Sequence, residues 1–161
     1  MPQILSALIL LVASTPMASA TAACPGFESG RPSQSEADRF YVQRALDLVR
    51  AADRNETDHL RAVIADDARF EIRRGDHITV RSFGPPGAVK MVKDVKPIRF
   101  EAQSLWTGPI AFVPSGCSWE VELLFRTNQP LEGIRMKFSF RDGRLTSAVG
   151  DAVTLIEGEV H

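Results

Sequence analysis

The chain has 161 residues, 44% of them hydrophobic and 24% charged, with a formal net charge of -1. That length supports one domain with one core, and that composition excludes a disordered chain. The near-zero charge excludes a global field that would select nucleic acid or an anionic membrane as partner.

Residues 1–20 differ from the rest. An apolar run over residues 4–13 has the length of a signal-peptide core. It is too short to span a bilayer, which takes about 20 apolar residues. Pro16 breaks the run, and Ala18-Ser19-Ala20 is a small-x-small cleavage site. No Lys or Arg precedes the run, so an uncleaved, buried N-terminal helix is the competing reading. The expected organisation is a signal peptide at 1–20, a linker at 21–32, one domain at 33–157 and a tail at 158–161. The mature chain is then exported, periplasmic or secreted, with no transmembrane span. Cys24 and Cys117 are the only cysteines, and in an oxidising compartment they predict one disulfide. Cys24 near a new N-terminus would also suit lipid attachment, but Thr21 replaces the branched apolar residue of such a site.

The domain begins with helical signals. Ser33 or Ser35 can cap a helix whose first turn carries Glu36 and Asp38. Tyr41, Ala45, Leu48 and Ala52 share one face of it. Residues 55–58 interrupt the helix and can cap a second, with Leu60, Val63 and Ile64 as its apolar stripe, ending at Asp66-Asp67. Phe70 and Ile72 then alternate with charged residues, and Arg74-Gly75-Asp76 reads as the turn of a hairpin to Ile78 and Val80. Pro86 or Gly87 can open a third helix, which Pro97 stops. Residues 98–106 alternate as a long strand.

The last third alternates most clearly. Trp119, Val121, Leu123 and Phe125 share a face, as do Ile134, Met136, Phe138 and Phe140. Asp142-Gly143 is a strong hairpin turn. Leu145, Ser147, Val149 and Asp151 share a phase unless Gly150 marks a bulge. The order is α-α-β-β-α-β-β-β-β. It describes an α+β fold in which a curved antiparallel sheet is packed by three helices into a cone whose mouth suits a small molecule.

This order over residues 35–155, with Ala65-Asp66-Asp67-Ala68 at the helix-to-strand corner and the Asp142-Gly143 hairpin, resembles the NTF2-like superfamily (the nuclear transport factor 2, SnoaL-like cyclase and ketosteroid isomerase group). The resemblance implies a conical pocket and, often, dimers through the outer sheet face. It does not imply one chemistry, because this fold hosts many. Its ketosteroid isomerases need a carboxylate base, a tyrosine and a protonated aspartate. The matching positions here are Ile72, Leu48 and Met136, so that chemistry is absent.

The remaining polar candidates are few. Asp151 shares the inward phase of the last strand, which would make it a buried acid; the competing reading is a bulge cap or a partner for an arginine. Tyr41 lies on the inward face of the first helix. The three histidines are not spaced as metal ligands, and no glycine loop suits a phosphate, so neither metal nor cofactor is expected. An excess of Arg and Lys between residues 69 and 99 suggests either attraction for an anionic partner or a solvated face.

The expectation is a domain that binds a small apolar or amphipathic ligand, or a partner, without catalysis. The expected contacts are Tyr41, Leu48, Ile72, Trp119, Met136 and Phe138. The alternative is a SnoaL-like lyase, hydrolase or isomerase using Asp151. A third reading fills the cone with Trp119, Met136, Phe138 and Phe140 and leaves no pocket.

Overall fold

Ser33 starts the first helix. Its hydroxyl accepts from the Glu36 backbone N–H at 3.4 Å, and the Glu36 carboxylate accepts from the Ser33 backbone N–H at 2.9 Å. This reciprocal cap satisfies two donors that a helix start leaves open. Helix α1 then runs over Gln34–Asp53 and buries Tyr41, Ala45, Leu48 and Ala52 on one side. Asn55, left-handed at φ 56°, breaks it. This computed structural model describes Cys24, Phe27, residues 32–110 and residues 117–155, and of residues 98–101 the backbone alone. The expected signal peptide and tail, most of the linker and the 111–116 loop lie outside the described residues.

Helix α2 covers Thr57–Val63, and strand β1 follows at once over Ile64–Arg74. The strand thus opens at Ile64, ahead of the expected end of the second helix at Asp66-Asp67. The Ala65-Asp66-Asp67-Ala68 corner is an irregular stretch of that strand, since the register with the last strand shifts between Ile64 and Arg69. Four residues on β1 here face one on its neighbour, the arrangement of an enlarged bulge. Hairpin partner β2 spans His77–Phe83, joined through Gly75 at φ 59°. A glycine with positive φ at the first position of a two-residue turn is what a right-handed hairpin twist favours.

Helix α3 runs over Gly84–Val95, with prolines in its first turn. Gly84 has φ 62°, and a Cβ there would come within 2.8 Å of the Asp66 carbonyl oxygen. The corner and the start of α3 therefore need a glycine to meet. Strands β3 (Pro97–Pro109), β4 (Ser118–Thr127), β5 (Glu132–Arg141) and β6 (Arg144–Thr154) complete the chain. At the β5–β6 turn Asp142 and Gly143 are both left-handed, φ 48° and 76°, as a primed hairpin turn requires.

The described residues hold three helices and one six-stranded sheet in the order β2-β1-β6-β5-β4-β3. Four of its pairings are antiparallel, but β1 and β6 run parallel, so the sheet is mixed where an antiparallel one was expected. Alternation reports which face of a strand is buried, not the direction of its neighbour, so the pattern was silent on this point. The helices cover one face. Trp119, Phe125, Phe138 and Phe140 lie together in that buried core, as the alternation predicts.

The core is tightest at β6. Gly150 pairs with Ile72 on β1 and Met136 on β5. A Cβ there would overlap the Met136 sulfur and come within 2.8 Å of Ile72 and 2.9 Å of Ile134. Gly150→Ala is expected to lower stability by roughly 1–3 kcal/mol through overpacking. Urea unfolding measures it, and an unchanged midpoint would mean that the interior has slack.

Candidate functional site

The cone places all six expected contact residues inside. Tyr41 and Leu48 come from α1, Ile72 from β1, Trp119 from β4, and Met136 and Phe138 from β5; each is at most 8% exposed. They form two groups. Toward one end, Tyr41 stacks on Trp119 at 5.9 Å and packs on Phe140 at 5.1 Å. Deeper in, Ile72 and Met136 converge on Gly150, and Phe138 meets Phe125 edge-on at 6.3 Å. Between Met91, Val95, Met136 and Phe138 a cavity of only about 10 Å³ remains. A single water needs roughly 10–15 Å³ and two or more polar partners. Among the described residues, apolar side chains pack closely around this small space.

The sequence pattern overlooked a polar brace at the Trp119 end. The Asp38 carboxylate accepts from the Trp119 indole N–H at 3.2 Å and from the Thr107 hydroxyl, tying α1 to β4 and β3. Asp38 extends the inward stripe of Tyr41, Ala45 and Leu48 by one turn, so helical spacing carried that signal. Thr107 was hidden by a bulge: Ser104 pairs with Leu123 but Trp106 with Glu122, so Leu105 is the extra residue and the phase of β3 reverses. Leu105 and Trp106 are both exposed as a result.

A second bulge overturns the reading of Asp151. Phe140 pairs with Leu145 but Ser139 with Ser147, which leaves Thr146 unpaired. From Ser147 onward the phase is reversed, and Ala148 and Gly150 point inward instead. Asp151 lies in register between Arg135 and Arg73 on the helix-free face, half-buried and away from the core. The shift falls at Thr146, not at Gly150.

Of the eight basic residues between 69 and 99, Arg73, Arg74 and Arg81 are ion-paired among the described residues. Glu71 is bound by Arg73 at 2.6 Å and lies 3.6 Å from Arg81. The Arg73 hydrogen bond, aided by the surrounding arginines, holds the Glu71 carboxyl below the usual range despite its burial. Glu122 pairs with Arg135 and Glu120 with Lys137, at 3.3 and 3.7 Å. Arg74 meets Asp94 at 2.6 Å and Glu132 at 3.6 Å. Such interleaving reads as a solvated face more than as an anion site. Among the described residues no group of His, Cys, Asp and Glu could hold a metal, and no helix is long and apolar enough to cross a membrane.

Cys24 and Cys117 form a disulfide with Cα atoms 5.3 Å apart. Phe27 packs on Phe40 at 4.7 Å and on Tyr41 at 6.3 Å, at the Trp119 end of the core.

A scan against protein-family models finds no match. A search of the curated proteins also finds none. Among solved structures the chain is similar to an NTF-2 like protein of unknown function from Silicibacter pomeroyi DSS-3. The identity is 10%, over 73% of this chain and 98% of that one, with a TM-score of 0.47. It is also similar to an NTF2-like protein from Burkholderia xenovorans LB400, at 19% identity over 76% and 92% of the two chains, TM-score 0.44. An LEH-like epoxide hydrolase of M. tuberculosis matches at 18% identity over 75% and 81%, TM-score 0.41. The likeness to the NTF2-like fold stands on element order and the helix-packed cone. What these proteins bind or act on does not follow at such identities.

Two predictions follow from the Tyr41 end. Tyr41 is the only tyrosine of the chain. Among the described residues its buried hydroxyl has no hydrogen-bond partner, and burial pushes its ionisation above the ordinary value of 10.0. The folded state therefore favours the protonated form. Stability is full below that value and falls as pH rises through the raised one. Absorbance of tyrosinate should stay absent in the folded protein above pH 10 and appear with unfolding. Tyr41→Phe should remove this dependence and be neutral or stabilising by up to roughly 1 kcal/mol, since it deletes an unsatisfied group. The disulfide closes a loop spanning 93 residues. Its reduction, or the double Cys→Ser variant, should lower stability by about 4–5 kcal/mol in the chain-entropy account. Free thiols in the denatured, unreduced protein would contradict the bridge.

Proposed function

We propose that this chain is an exported, non-catalytic binding domain that recognises its ligand or partner from its surface. One observation carries the reading: the positions that would bear a base and oxyanion donors are Leu48, Ile72 and Met136, all buried, with about 10 Å³ of space beside Met136. An isomerase or hydrolase of this shape needs titratable groups against a substrate-sized hollow. Asp151, the acid of the alternative enzyme reading, faces Arg135 and Arg73 in the register and gives that reading no support. The Cys24–Cys117 bridge supports export, since such bonds persist in oxidising compartments. The apolar run and small-x-small site at residues 1–20 support it independently.

The test has two parts. Protein recovered outside the cytosol should have the mass of a chain starting at Thr21, with the bridge intact. That protein should convert neither an enolisable steroid ketone nor a terminal epoxide above the buffer rate, and Asp151→Asn should change nothing beyond a few-fold. A saturable rate that Asp151→Asn abolishes would establish the enzyme reading instead.

A further inference from the structure

On the side of α1 away from the sheet, α1 and α2 enclose a groove of about 530 Å³. That volume lies in the range of small-molecule sites, roughly 300–1,000 Å³. Phe40 and Val63 supply its apolar surface, and Arg39 and Arg44 its cations, with Glu36 and Asp47 also at its wall. The charges are not equally free. Glu36 is committed to the cap through Ser33. Asp47 is held by Gln43 at 2.8 Å and Arg50 at 3.0 Å. Among the described residues neither Arg39 nor Arg44 has a salt-bridge partner. The Arg44 guanidinium lies 5.5 Å above the Phe40 ring.

A guanidinium with no carboxylate against it is open to an anionic head, and a carboxylate is the acceptor its forked geometry fits best. The ring beneath holds the guanidinium in place and offers a face to an apolar body. We infer that the α1–α2 groove binds an amphipathic carboxylate, its head on Arg44 with Arg39 nearby and its apolar part along Phe40 and Val63. This rests on the surface-binding reading above and adds to it a place and a chemical class. The site is separate from the filled interior of the cone and uses none of the residues expected there.

The test is calorimetric titration of the purified, disulfide-intact full chain with octanoate, below its micelle concentration, and with octan-1-ol and acetate as controls. Octanoate should bind, and each control should bind at least about ten-fold more weakly. Arg44→Gln should weaken octanoate about ten-fold or more, and Arg44→Lys should recover part of the loss. Arg39→Glu alters an exposed position, so it should weaken octanoate without changing the thermal midpoint even if an Arg44 variant folds poorly. Equal binding of octanoate and octan-1-ol would overturn the carboxylate and point to a purely apolar occupant. Octanoate affinity unchanged in both Arg39→Glu and Arg44→Gln would overturn the groove while leaving the surface-binding reading intact. No heat with any of the three ligands would overturn the inference and leave a macromolecular partner for that reading. Turnover of a ketone or epoxide would instead sink the reading itself.

Discussion

Met136 occupies the space that Gly150 leaves free, and much else in the molecule depends on that contact. Strand β6 lies between β1 and β5 in the middle of the sheet, so its inner surface meets the full thickness of the core. With no Cβ at Gly150, the Met136 sulfur and the Ile72 side chain converge over the backbone. Methionine suits the task, because an unbranched side chain fills an irregular gap that a branched one would overfill. The helices then close on a solid interior. Among the described residues this packing leaves only about 10 Å³ beside Met136.

How much of this was legible depended on whether the signal was local. The serine cap, the Gly75 and Asp142-Gly143 turns and the alternation of β4 and β5 are set by residues a few positions apart, and each appears where the sequence put it. The inward placement of Leu48, Ile72 and Met136 could be read because α1 and β5 are regular around Leu48 and Met136, and β1 pairs without a shift from Arg69 to Ile72. The filling of the cone was less legible. It depends on how closely β6 approaches β1 and β5, a distance that no periodicity encodes. The parallel pairing of β1 with β6 was hidden for a similar reason, since a strand buried on one face alternates alike beside either neighbour.

The errors trace to bulges. One extra residue at Leu105 reverses β3, exposing Trp106 and turning Thr107 toward Asp38. One at Thr146 reverses β6 and moves Asp151 from the core side to a row of arginines. Neither bulge is marked by a glycine or proline, and Gly150, the residue that looked like the marker, serves packing. A side-chain period of two makes every downstream assignment hostage to such a residue. The acid that seemed to promise catalysis was a product of that sensitivity.

The closure over Tyr41 shows why a covalent tether is used where contacts would not suffice. Phe27 touches Phe40 and Tyr41, and each aromatic pair contributes about 0.5–1.5 kcal/mol beyond the area it buries. Fixing the backbone of each ordered residue costs roughly 1–2 kcal/mol. The contacts alone would leave the segment near balance or below it. The bond to Cys117 fixes one end of the segment beside the β5–β6 turn, where the Cys117 carbonyl accepts the Asp142 N–H at 3.0 Å. The bridge therefore does more than limit the unfolded chain. It converts a weak aromatic contact into a persistent cover, and it keeps the solitary tyrosine dry.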